Sequence, residues 1–282
     1  MSGSTPSHGG KHYYLLRRLH SASGIVPVGA FLISHLTTNS SIVWGMIQGD
    51  KYGGTHAGAA EFQHEVNFIH SMPFLLLIEI FGLWLPIAFH SVVGVYFATS
   101  GKSNLKQYDY QANWRYSLQR ISGYVGVLFI FYHVATLRWG WTFLVPGGTE
   151  WSAEAAASTM AMALQGGSDG FTGAGLGVAI FYMLGVTLLV FHFANGLWTA
   201  AITWGVTVTA KAQKRWGVVC AGLGVGLMGA AWSAVIGFAL LDVNQAQDAE
   251  HHVNNTHSAG ISDHAEEQSA SVDDLHATEE GH

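Results

Sequence analysis

The chain is short of charge. Lys, Arg, Asp and Glu make up 11% of its 282 residues, where a soluble domain carries roughly a quarter. With 49% apolar residues and positive mean hydropathy, that shortage excludes an ordinary soluble fold and points to a membrane protein. It is also short of cysteine. A single Cys220 excludes an intrachain disulfide, an iron–sulfur cluster held by this chain, and the Cys-x-x-Cys-His pattern of covalent haem attachment. No basic cluster is interleaved with aromatics in a soluble stretch, which excludes a nucleic-acid partner. The formal net charge of −6 arises because ten of the 18 acids follow Leu241, in a tail without Lys or Arg. The five prolines include two, Pro27 and Pro86, inside long apolar runs, where each is expected to kink a helix.

Five runs are long enough, at about 20 residues, to cross a bilayer. They are about Ser21–Ile47, Pro73–Thr99, Tyr116–Val145, Phe171–Trp204 and Trp216–Leu241. Only helices satisfy their own backbone in lipid, and the period-2 alternation of a membrane barrel is absent. The expected fold is an all-α integral membrane protein, a bundle of five transmembrane helices over 21–241. Met1–Arg18 is polar and the run after it is too long for a signal-peptide core, so residues 1–20 are expected to be a cytoplasmic segment before a retained first helix. Ten of the twelve Lys and Arg lie before run one, between runs two and three, or between runs four and five. The positive-inside rule then sets the N-terminus in the cytoplasm and the C-terminus outside. The two long outer loops, about Gln48–Ser71 and Pro146–Gly170, read as a surface cap, with Ala59–His70 as the alternative roof of a ligand site. Residues 242–282, acidic and rich in His, are expected to be disordered and outside.

Four runs each carry one deep histidine. Ionisable groups at membrane depth are expensive and mark functional sites. At a rise of about 1.5 Å per residue, His35 lies about 21 Å above the cytoplasmic entry of run one and His90 about 25 Å below the outer entry of run two. The same reckoning sets His133 in the outer half and His192 in the inner half. The histidines therefore sort into an outer pair, His35 and His133, and an inner pair, His90 and His192. Two donors per layer are too few for structural zinc, which takes four, but suffice for the two axial positions of a haem. With both positions filled, such a haem carries electrons. Gly94 and Gly196 lie one turn after His90 and His192, and Gly29 and Gly126 lie before His35 and His133. They either open room for a porphyrin or let helices pack closely. Arg17, Arg18, His20, Ser21 and Arg120 stand at the cytoplasmic edge as candidates to neutralise the propionates of the inner haem.

Arg17-Arg-Leu-His-Ser21, Val26–Leu36, Phe89–Tyr96, Gln119-Arg-Ile-Ser-Gly123, Phe191–Trp198 and Thr203–Thr209 resemble the cytochrome b subunit of dihaem succinate dehydrogenases, the single-anchor-subunit type related to dihaem fumarate reductases. The resemblance spans about Tyr13–Leu241. It implies five helices and two haems b with His35, His90, His133 and His192 as axial ligands. It also implies a flavoprotein and an iron–sulfur subunit as partners, in the bacterial cytoplasmic membrane, and allows an oligomer of the whole complex. A quinone, menaquinone, is the implied substrate, and His64, Glu65, Asn67 and His70 are the candidates to line its site. The fumarate reductases carry a proton-conducting glutamate two residues before the ligand on run four; here that position is Val190, which favours succinate oxidation. The competing readings are a dihaem subunit of another complex, such as a hydrogenase or formate dehydrogenase, and a haem-free transporter with a histidine proton relay. A reduced-minus-oxidised optical spectrum of the purified protein is expected to show b-type bands; a featureless spectrum leaves only the transporter.

Overall fold

The computed structural model describes residues 8–52, 56–100 and 113–259, with side chains from His12 and Trp114 onward in the first and third of these segments. Lys11, Lys102, Lys106 and the histidines of residues 260–282 lie outside the described side chains. The described residues are mostly helical, without strands, and five of the helical stretches are long and apolar enough to cross a membrane. The protein is thus a multi-pass, all-α membrane protein.

The first span is α1 (His8–Ile25) running into α2 (Pro27–Gln48). Pro27 opens α2 at a position where its missing N–H is no loss, and Val26 stays in the right-handed region, so the span bends without breaking. Helix starts at His8, well before Ser21, because Leu15, Leu16 and Leu19 continue the apolar stripe. Tyr13 also packs edge-on against Phe97 at 5.4 Å.

The second span, α4 (Leu75–Ser100), shows what Pro86 does. The turn before it, Glu79–Trp84, widens into a π-helix, a usual outcome where the i→i−4 ladder is interrupted. Glu79 in that turn pairs with Arg138 at 3.1 Å.

The third span, α5 (Asn113–Leu137), ends eight residues before the expected Val145. Gly140 takes φ +66°, and Trp139–Val145 folds back, with Tyr132 donating to the Leu144 carbonyl at 3.1 Å. Apolar composition alone carried that stretch into the expected helix. The last two spans are α7 (Gly173–Thr203) and α8 (Ala210–Ala239). Thr172 and Thr209 cap them by accepting from Gly175 and Ala212. α8 begins six residues before Trp216. In the bundle α2 packs on α8, α8 on α7, α7 on α5, and α5 on α4, while α4 and α1 close the ring.

At one end of the bundle the connecting segments form a second layer. α3 (Ala57–His70) and α6 (Ala156–Gln165) bury Ala59, Ala60, Phe62, Val66, Ala157, Met160, Ala161 and Leu164 against Ile42, Phe129, Tyr182, Val235 and Phe238. The cap crosses α2 closely because Gly45 and Gly58 have no side chains: a Cβ on Gly58 would run into the Ile42 carbonyl.

The expected disordered tail is corrected for its first half. Residues 243–259 are helical and form α9. Asp242 caps it by accepting from the amides of Asn244 and Gln245. Val243, Ala246, Ala249 and Val253 are buried in the cap core. They recur at helical spacing, a signal that the polar average of the whole tail concealed.

Glu250 fixes α9 to α6. Fully buried, it accepts from the amides of Ala157 and Ser158 and from the Ser158 hydroxyl, at 2.6–2.8 Å. It thereby caps a helix N-terminus from a distant part of the chain. Burial raises the Glu250 carboxyl above its ordinary value, against the pull of those hydrogen bonds, and an amide of the same shape would still offer one oxygen to both backbone N–H groups. Glu250→Gln is therefore expected to keep most of the stability. Glu250→Ala, which strands two buried amides, should cost about 2 kcal/mol or more, read as a lowered melting temperature in detergent.

Candidate functional site

Four helices each present one imidazole inside the bundle: His35 on α2, His90 on α4, His133 on α5 and His192 on α7. The structure brings them together as two pairs. The rings of His35 and His133 have centres 5.8 Å apart and planes crossed at 87°. Those of His90 and His192 are 6.1 Å apart, also crossed at 87°. Two imidazoles bound to one metal ion through bonds of about 2 Å, each with its ring centre about 1 Å beyond the nitrogen, stand about 6 Å apart. Among the described residues no three His, Cys, Asp or Glu side chains converge on a metal position. Each pair could therefore serve only a metal that brings its remaining ligands with it.

Three of the four Nδ1 atoms are met by the protein. His90 Nδ1 meets the carbonyl of His20 at 2.9 Å. His192 Nδ1 meets the carbonyl of Gln119 at 3.1 Å and the Ser122 hydroxyl at 3.2 Å. His133 Nδ1 faces the Tyr182 hydroxyl at 3.4 Å. A carbonyl partner makes Nδ1 the N–H and leaves Nε2 as the lone-pair donor, the arrangement of metal-bound histidines. His35 is held by stacking instead, with Phe31 at 5.1 Å.

The glycines against the inner rings are Gly24 and Gly123. A Cβ on Gly24 would strike the His90 ring, and one on Gly123 would come within 3.1 Å of His192. Gly94 faces His20 Nε2, Gly29 faces Phe193, Gly126 faces Leu189, and Gly196 lies 3.6 Å from Gln119. Gly94, Gly29 and Gly126 admit side chains where a Cβ would collide, whereas a Cβ on Gly196 would make an ordinary contact. Gln119, Ser122 and Gly123 stood in one of the strings that carry the resemblance, but their contact with His192, like that of Gly24 with His90 and of Tyr182 with His133, is made from a different helix and has no one-dimensional signal. A polar residue in an apolar run, as at Gln119, is the nearest thing to a clue.

The edge candidates are spread over different tasks. His20 stands 4.1 Å from the His90 ring, with a buried Nε2 that has no hydrogen-bond partner. Ser21 accepts from the Trp204 indole at 2.9 Å. Arg120 donates to the Ala98 carbonyl and to the Tyr116 hydroxyl. Arg17 and Arg18 are exposed and lie over Tyr13 and Tyr14 of their own helix.

His64, Glu65, Asn67 and His70 all lie on α3. His64 is exposed and stacks on Tyr52, His70 is exposed in the last turn, and Asn67 is tied to Gln63 and Asn254 at 2.9 Å each. Asn67 is a strut of the cap.

The chain is 36% identical over 205 residues to the succinate dehydrogenase cytochrome b558 subunit of Bacillus subtilis (strain 168), an alignment covering 73% of this chain and 87% of that protein. No family model matches the chain, and no solved structure matches it.

The Gly24 contact can be tested directly. Gly24→Ala forces the His90 ring off its hydrogen bond to His20, and overpacking of this kind costs about 1–3 kcal/mol. Gly222→Ala, whose Cβ meets nothing within 4 Å, should leave the melting temperature unchanged. Equal melting temperatures for the two variants would contradict the contact.

Proposed function

The chain belongs to the family of succinate dehydrogenase cytochrome b subunits and is the membrane anchor of that enzyme, a subunit that does no succinate chemistry itself; on that premise we propose that it holds two haems b, one between His90 and His192 and one between His35 and His133. The observation that carries the reading is the sorting of four imidazoles into two crossed pairs at metal-sharing distance. The occupied Nδ1 atoms support it, since they leave the opposite nitrogens as donors. When bound, such haems supply one-electron transfer between an iron–sulfur subunit on one side of the membrane and quinone.

The protein's own work is to hold, orient and shield. Backbone carbonyls of His20 and Gln119 set the tautomer of the inner pair. Phe31, Phe129 and Tyr182 wall the outer pair with rings and keep water from it.

The basic residues of the membrane ends support an N-terminus in the cytoplasm. The end carrying His90 and His192 then faces the iron–sulfur and flavoprotein subunits, and the capped end lies outside. Val190 is packed among Leu36, Leu227 and Ala231, so that turn of α7 offers no proton carrier. This supports succinate oxidation with reduction of menaquinone as the working direction.

Single alanine variants of the four histidines in the assembled complex test the pairing. His35→Ala and His133→Ala are expected to abolish one b-type component in a potentiometric titration, and His90→Ala and His192→Ala the other. Loss of a common component by one member of each pair would overturn it.

A further inference from the structure

Gln119 grips His192 at more than one point. Its carbonyl meets His192 Nδ1 at 3.1 Å, and its side-chain Nε2 donates to the His192 carbonyl, also at 3.1 Å. The remaining atom of that amide, Oε1, accepts from Asn195 Nδ2 at 2.8 Å. Asn195 lies three residues after His192 on the same helix, 3% exposed, and its own Oδ1 is buried with no partner.

An unpaired buried carbonyl costs about 1–3 kcal/mol. A leucine of nearly the same shape would avoid that cost and pack as well among these helices. Orphaned polar atoms of this kind call for an explanation. The Gln119 contact is the one hydrogen bond the Asn195 side chain makes among the described residues, so holding Gln119 is what the residue can be there for.

We propose that Gln119 and Asn195 form an amide clamp that positions the His192 imidazole and thereby sets the spectroscopic and redox character of the inner haem. The proposal rests on the reading that His90 and His192 hold that haem. Asn195 fixes the Gln119 side chain. That side chain fixes the register of α5 against α7 beside His192. The Gln119 carbonyl, with the Ser122 hydroxyl at 3.2 Å, then receives the ring N–H in one orientation. Orientation matters because the angle between two axial imidazole planes, 87° here, governs the splitting of the iron d orbitals. Among the described residues the outer pair has no such clamp: His133 Nδ1 faces a hydroxyl at 3.4 Å.

The test uses the whole complex carrying Asn195→Leu, Gln119→Leu or both, with the inner signal assigned as the one lost in His90→Ala. Each variant is expected to retain both haems. The inner low-spin ferric EPR signal and its midpoint potential should shift while the outer ones stay in place, and the double variant should shift no further than the larger single one, because both changes open one clamp. An unmoved inner signal in either single variant overturns the proposal. So does an equal shift of both signals, or failure to retain both haems, since the clamp orients a ligand and is not needed to bind it. Absence of two low-spin signals from the unsubstituted complex would instead remove the reading on which the clamp rests.

Discussion

A nitrogen carried into a membrane must be bonded there, and the bundle is arranged around meeting that demand at its deep histidines. His90, His133 and His192 each have one ring nitrogen that a neighbouring helix meets, while His35 is held by ring stacking. For the inner pair the neighbour supplies a backbone carbonyl, from α1 to His90 and from α5 to His192. A carbonyl already used within its own helix still has a second lone pair to offer. Side chains that crowd such a carbonyl would close the approach, which is why glycines stand at Gly24 and Gly123.

Two different forces hold the two layers of the molecule. Between membrane spans the hydrophobic effect gives little, because lipid is as apolar as leucine. Close approach, ring packing and polar contacts do the work there. The Glu79–Arg138 pair joins the first turns of α4, a span with few buried residues, to the end of α5. In the cap, water is displaced and apolar burial counts in full, at roughly 1.5–3 kcal/mol for each large side chain fully buried. That is where Phe62, Leu164 and Phe238 collect, and where side-chain amides such as Gln63, Asn67 and Asn254 bind the helices to one another. Gln165 completes the join by donating to the last carbonyls around the end of α8, at Ala239 and Leu241.

The errors of sequence reading fall where local composition and tertiary context disagree. The tail from Asp242 is polar on average, yet its buried face of Val243, Ala246, Ala249 and Val253 was legible at helical spacing. Trp139–Val145 is apolar on average but leaves the helix at a glycine in the left-handed region. Glu79 stood in plain view inside an apolar run, and only the arrival of Arg138 from another helix gives it a role.

What the sequence determined by itself was periodic or long: five membrane runs, a sided distribution of Lys and Arg, and one histidine per run at two depths. Rise per residue converts position into depth, so the pairing of His35 with His133 and of His90 with His192 followed from counting. The tertiary structure decided everything that needs two helices to meet. It set Gly24 and Gly123 against the rings of His90 and His192 and tied Asn67 to Gln63 and Asn254. It also drew Gln119 and Asn195 onto His192. Those outcomes depend on how helices rotate and cross, and rotation is set by side-chain packing summed over whole interfaces, which no stretch of the chain encodes alone.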